Sequence, residues 1–360
     1  SIELDKTVIL EQDRASCLRK EELEEIFPNE DSLLKKEAKW KTETAGKRRV
    51  ALRAEELDTT EIVYGIESDL LEKEALQMAE HLSVEQCVQM CTGAIRRGKD
   101  GTIGTAGITV PGAAAETSLV AVDEGIASIT LADGPAGLRL NKFYDVVNGE
   151  RKIQDFIDSV EDGLFRISDE KQGERYYQFC TAFPIGTVLA QSWDREVLKK
   201  VGRAVAAELE IFQITLWLAP GMNIHRNPLC GRNFEYYSED PLISGIMAAD
   251  ITEGGQETPG IGTTIKHFAC NNQEDNRCGS DRIISERALR EIYLQGFEIC
   301  VKEAQPMAIM TSYNLINEVH AANSHDLCTK IARDEWGFKG LIMTDWGTTN
   351  EMPEGYAKCS

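Results

Sequence analysis

Five short stretches of this chain end in side chains that could do chemistry together. Asp345 and Trp346 close the run Gly340-Leu341-Ile342-Met343-Thr344-Asp345-Trp346-Gly347. Lys266 and His267 are adjacent after Thr263-Thr264-Ile265. Asp133 and Arg139 lie in Leu131-Ala132-Asp133-Gly134-Pro135-Ala136-Gly137-Leu138-Arg139, Arg232 in Gly231-Arg232-Asn233-Phe234-Glu235, and Tyr313 in Met310-Thr311-Ser312-Tyr313-Asn314. This set suits a polyol. Hydroxyl groups both donate and accept, so a pocket that orients them needs anions and cations side by side. Asp133 can accept from two hydroxyls, while Lys266, His267 and the arginines donate. The Trp346 indole offers an apolar wall for a sugar ring. Neighbouring cations would keep Asp345 ionised and able to act as a nucleophile.

Taken singly, each residue has a plainer explanation. Asp133-Gly134-Pro135 is a common turn, Arg232 with Glu235 or Glu239 a structural ion pair, Lys266-His267 a solvated strand end, and Tyr313 a core residue. Five independent strand ends that are all polar argue against those explanations jointly. Other chemistries find less support. His225, His267, Cys230 and Cys270 lack metal-ligand spacing, so no catalytic metal is expected, and nothing calls for a cofactor. There is no Gly-x-Ser-x-Gly elbow for a serine nucleophile. The Gly-rich loop 93–112 lacks the Gly-Lys-Ser/Thr ending of a phosphate loop.

The elements that must position these side chains alternate. Strands are expected over 128–132, 182–185, 215–218, 263–267, 308–313 and 341–345. Helices are expected over 195–211, 241–253, 286–303 and 326–335. The repeated strand-helix order predicts a parallel sheet, with the polar strand ends converging on one rim. The expected fold is an α/β, TIM-type (β/α) barrel over 79–360, incomplete at its C-terminus, because too few residues follow Asp345 to close it. Ser83-Val84-Glu85-Gln86 reads as a capping box opening a helix. Residues 1–78 are charge-rich, with helical runs over 20–26 and 32–37 and a short strand over 49–53. They are expected to be an extension, or a linker from a preceding domain.

Composition bounds the rest. The 360 residues are 42% hydrophobic and 28% charged, the profile of a globular protein. With 39 basic and 60 acidic residues the net charge is −21, which repels phosphate backbones and argues against nucleic acid. No apolar stretch is long enough to span a membrane, and no signal peptide is evident. The 10 cysteines follow no disulfide framework, so free thiols in a reducing cytoplasm are expected.

These motifs resemble the barrel domain of glycoside hydrolase family 3, the β-glucosidase family. The resemblance runs from Leu82 to Gly347 and is most specific in four stretches. These are Leu131 to Arg139, Trp217-Leu218-Ala219-Pro220-Gly221-Met222-Asn223 through Pro228, Gly231 through Pro241, and Ile265-Lys266-His267-Phe268-Ala269-Cys270-Asn271-Asn272. Asp334 to Gly347 completes the pattern. The resemblance implies a retaining hydrolase of terminal β-glucosyl residues with Asp345 as nucleophile. It places Asp133, Arg139, Arg232, Lys266, His267, Tyr313 and Trp346 around the sugar at subsite −1. The loop after Lys266-His267 departs from the Lys-His-Phe-Pro-Gly-His-Gly form of the amino-sugar branch, which favours a glucosidase or a xylosidase. Retention also needs an acid/base carboxyl. In this family an α/β sandwich domain supplies it, and that domain is the expected partner missing from this chain. Glu235, Glu274 and Glu318 are acids without motif support. Glu318 stands where the family usually has Gly. A sugar-binding or assembly module that keeps the pocket without chemistry is the alternative of a different class.

Overall fold

The strand-forming stretches are short, apolar and fed by helices, and in the structure they line up as one sheet. The structure is a computed structural model that describes residues 69–92, 109–152 and 171–348. The runs 20–26, 32–37 and 49–53, the loop residues 93–108 and the residues after 348 lie outside the described residues. The strands are β1 (Ala115–Glu116), β2 (Thr130–Asp133), β3 (Phe143–Val147), β4 (Glu150–Lys152), β5 (Glu174–Tyr177) and β6 (Leu216–Leu218). They continue with β7 (Gly262–Phe268), β8 (Asp281–Arg282), β9 (Ala308–Thr311), β10 (Leu315–Ile316), β11 (Val319–His320) and β12 (Leu341–Thr344).

The main sheet runs β1-β2-β6-β7-β9-β12. From β2 to β12 every pairing is parallel, and only β1 runs antiparallel, against β2. The result is a mixed α/β half-barrel in which every parallel strand carries its C-terminal end to the same rim. The expected strand at 182–185 is absent. β2 pairs directly with β6, Leu131 opposite Leu216, so no slot exists between them. Pro184 could not donate in that slot in any case. Two smaller sheets, β4-β3-β5 and β11-β10-β8, decorate the half-barrel.

Alternation along the strands separates two apolar layers. Leu131, Leu216, Leu218, Ala308 and Met310 form the inner cluster. Ala132, Trp217, Ile265 and Ile309 face the helices in the larger outer cluster.

Several helices begin at local capping signals, of which the box at Ser83 is the expected one. α1 spans Asp69–His81 and α2 spans Val84–Thr92. At the start of α2 the Gln86 amide donates to Ser83 Oγ (3.1 Å), and the Ser83 amide donates to Gln86 Oε1 (2.9 Å), closing the capping box. α3 is the short Gly186–Ala190. α4 (Arg195–Ile211) is capped by Asp194, and α5 (Pro241–Gln256) by Asp240 with proline in its first turn. α6 is α-helical over Glu286–Ala288, π-helical over Leu289–Leu294 and α-helical again over Gln295–Ala304. α7 is a π-helix, Asp326–Glu335. α4 and α5 approach closely through Gly202 and Gly254. Phe297 of α6 and Trp336 after α7 pack edge-on against Phe268, at 5.3 and 5.8 Å between ring centres. These contacts wedge the end of β7 in place.

Candidate active site at the strand C-termini

The two-residue period of a strand brings the first three groups together. Asp133 follows Leu131 on the inner face of β2, Lys266 is level with Met310 across β7–β9, and Asp345 follows Met343 on β12. All three therefore point inward at the rim. Lys266 Nζ lies 2.7 Å from Asp133 Oδ1, and Arg139 pairs with Asp133 Oδ2. The turn between Asp133 and Arg139 is set by Gly134, at φ 127°, where a side chain would strike the Gly137 carbonyl. The Trp217 indole donates to the Gly134 carbonyl at 2.9 Å, and the Arg139 amide to the Asp133 carbonyl at 2.9 Å. The motif is thus a turn whose first carboxylate is also ion-paired. Burial pushes the Lys266 ammonium down to about 8, against the opposing pull of Glu235 and Asp345.

A second group forms around Asp345, which is only 8% exposed. Its Oδ1 accepts from the Trp346 amide at 2.8 Å, and its carbonyl accepts from Thr348 Oγ1 at 2.7 Å. Its Oδ2 lies 3.8 Å from His267 Nε2. Tyr313 OH donates to the Trp346 carbonyl at 2.5 Å, so the end of β9 braces the end of β12. Burial and the Asp345 charge push the Tyr313 phenol well above its ordinary value. Trp346 rests on the inner apolar cluster.

His267 is wholly buried. Asn223, in the loop after β6, clamps its backbone, donating to its carbonyl at 2.9 Å and accepting from its amide at 2.8 Å. Burial, then the Arg232, Lys266 and Arg277 charges, hold the imidazole far below its usual value and therefore neutral. Arg232 is ion-paired with Glu235. Its burial works against its charge, yet Tyr236, Glu235 and Asp345 hold it above its ordinary value.

All eight residues expected from the sequence meet at this rim. Asp133, Arg139 and Lys266 form one cluster, Asp345, His267, Tyr313 and Trp346 another, and Arg232 acts electrostatically on both. Sequence reasoning missed Asn223, Tyr236, Asn271 and Arg277. Arg277 sits 4.3 Å over the Tyr313 ring and donates to Glu274 at 2.8 Å. Asn223, Tyr236 and Asn271 lie inside the specific motifs but are uncharged, and their role shows only in their partners. Two of the three stray acids have a cation beside them. Glu235 and Glu274 are ion-paired, and Glu318 lies in the β10–β11 turn. Among the described residues no group of three His, Cys, Asp or Glu could hold a metal ion.

Comparison with known proteins places the sequence and fold among glycoside hydrolases. "Exo-alpha-(1->6)-L-arabinopyranosidase" of Bifidobacterium longum is 45% identical over 228 residues, 63% of this chain and 27% of that protein. "Beta-glucosidase A" of Butyrivibrio fibrisolvens is 52% identical over 166 residues, 46% of this chain and 20% of that protein. The solved structure of β-glucosidase 3B from Thermotoga neapolitana in complex with glucose is 39% identical, with a TM-score of 0.62. It covers 77% of this chain, which spans 35% of that one. The chain thus spans about a quarter of the length of the curated relatives it matches. Residues 108–358 match the family model described as the glycosyl hydrolase family 3 N terminal domain, and the chain belongs to that family.

Proposed function

We propose that this chain is the barrel portion of a retaining β-glucosidase-type glycoside hydrolase, with Asp345 as nucleophile. The observation that carries the reading is the rim itself. A buried carboxylate at the end of β12 faces His267 across 3.8 Å, while Lys266 and Arg139 flank Asp133 on the same inner face. Asp345 would attack the anomeric carbon, and the glycosyl-enzyme ester would then be hydrolysed by water. Asp133, Arg139, Lys266 and His267 would hold the ring hydroxyls. Arg232 would add positive charge beside them, Tyr313 would brace Asp345, and Trp346 would cover the ring face.

The half-barrel is read as part of a TIM-type barrel beginning near residue 79. The acid/base is assigned to an α/β sandwich domain outside this chain, since Glu235 and Glu274 are tied to arginines. Cys87, Cys91, Cys180, Cys230, Cys270, Cys300 and Cys328 are free thiols, which supports a reducing compartment such as the cytoplasm. No described helix is long and apolar enough to cross a membrane.

The test is trapping. An activated 2-deoxy-2-fluoro-β-glucoside, whose leaving group needs little protonation, should label the chain on Asp345, as read by intact mass and peptide mapping. The Asp345→Ala variant should stay unlabelled. A folded parent chain that resists labelling sinks the reading and favours the sugar-binding module. One relative gives a second reading its footing: the Bifidobacterium protein carries an arabinopyranosidase name, and that sugar lacks the hydroxymethyl group of glucose. A pentopyranoside, including a β-xyloside, is the alternative substrate. Faster labelling by the fluoro-xyloside than by the fluoro-glucoside would select it.

A further inference from the structure

The polar side chains behind His267 form a chain with one possible direction. Arg277 Nη1 donates to Glu274 Oε2 at 2.8 Å. As a carboxylate, Glu274 only accepts. Asn271 Nδ2 donates to Glu274 Oε1 at 2.9 Å and to Tyr236 OH at 2.9 Å. Turning the amide over would set its carbonyl oxygen against the carboxylate, so this orientation is the stable one. Tyr236 oxygen accepts from Asn271, and Tyr236 OH lies 3.1 Å from His267 Nδ1. Both rings are fully buried. If His267 Nδ1 carried the proton, the phenol oxygen would accept twice and its own buried hydrogen would lack this partner, which is costly. The phenol therefore donates to Nδ1. A neutral imidazole that accepts at Nδ1 carries its proton on Nε2.

We propose that Tyr236 is a positioning residue that locks His267 in the Nε2–H tautomer, so that the ring offers a donor to the space beside Asp345. The proposal rests on the sugar-site reading above. The 3.8 Å between Nε2 and Asp345 Oδ2 is too long for a direct hydrogen bond. One hydroxyl oxygen can sit about 2.8 Å from both, accepting from Nε2–H and donating to the carboxylate. The opposite tautomer would offer that hydroxyl two acceptors and no donor. The charged and titratable groups that act on His267 are Arg232, Lys266 and Arg277, with Asp345 opposite Nε2 and Tyr236 behind Nδ1. Three cations and burial favour the neutral ring, whose tautomer the phenol then decides.

The test uses the 15N-labelled 360-residue chain and long-range 1H–15N correlations of its imidazoles, with His267→Gln to assign the signal. The expected result is a neutral Nε2–H ring whose pattern is constant from about pH 5 to 8. Tyr236→Phe keeps the aromatic ring and removes the hydroxyl. It should give a mixture of tautomers and weaken glucose binding about tenfold. Tyr237→Phe, which removes a neighbouring buried hydroxyl outside the chain of bonds, should change neither. A proton on Nδ1 in the parent, or an unchanged tautomer in a folded Tyr236→Phe, overturns the proposal. If Tyr236→Phe does not fold, the parent spectrum still decides. Absence of glucose binding by the parent would count against the sugar site, while the tautomer stands or falls on its own spectrum.

Discussion

At the scale of single residues, the rim works by setting the charge of each group through its neighbours. Lys266 is the most exposed to pH. Its ammonium faces Asp133 from β2, Arg232 and Glu235 from the loop after β6, Arg139, and Asp345 from β12. Burial dominates and brings it to about 8, well below the ordinary lysine value near 10.4. A lowered value means that the charged form is complete only below about 8 and is lost as pH rises through it. Glucose affinity is therefore expected to fall on an alkaline limb centred near 8. Titration calorimetry across that range should show the limb in the parent, with Lys266→Met binding weakly at every pH. A flat profile in the parent would show that Asp133 holds the ammonium charged throughout.

At the scale of elements, close helix packing carries the sheet. α4 and α5 meet where Gly254 lies against Lys199, and a methyl at Gly254 would sit 2.8 Å from Lys199 Cα. Helix propensity alone predicts that Gly254→Ala stabilises by about 1 kcal/mol. The contact is with backbone, which cannot swing away, so the clash should win and destabilise by about 1–3 kcal/mol. Urea unfolding decides the sign. The same two helices are clipped by Arg195, whose guanidinium donates to the buried Asp250 at 2.9 Å through both Nε and Nη2. Arg195→Ala would leave that carboxylate with only Lys199, at 3.9 Å, and should cost about 2–3 kcal/mol in the same assay.

At the scale of the whole molecule, the described part of the sheet pairs β12 on one side. Among the described residues its only strand partner is β9, and Leu341 is 47% exposed. Unpaired strand edges with apolar side chains recruit other strands. The chain alone is expected to self-associate with rising concentration, despite its net charge of −21. Leu341→Lys should shift sedimentation toward the monomer. A monomeric parent at high concentration would show that the edge is already covered.

Much of this architecture was legible in the linear chain. The Ser83–Gln86 box and the buried runs ending in Asp133, Lys266 and Asp345 are local signals, carried by a few adjacent residues. Helix caps and strand periods depend on neighbours in sequence, and those elements fell within a few residues of expectation. The strand at 182–185 failed because an apolar stretch near Pro184 reads the same whether or not a sheet has room for it. The β10–β11 hairpin was read only as a loop departure at Glu318. Its turn holds Asn317 and Glu318 at φ 49° and 72°, a conformation that favours Asn-Gly, so the local signal was weakened. By itself the sequence determined which residues carry the charge and that Asp133, Lys266 and Asp345 close strands, whereas Arg232, expected at a strand end, lies in the loop well beyond β6. Only the tertiary structure decided that Arg277 lies over Tyr313, and that Asn271 and Tyr236 stand behind His267. Those relations join residues from separate loops, and their direction depends on which atom donates, which no spacing along a chain encodes.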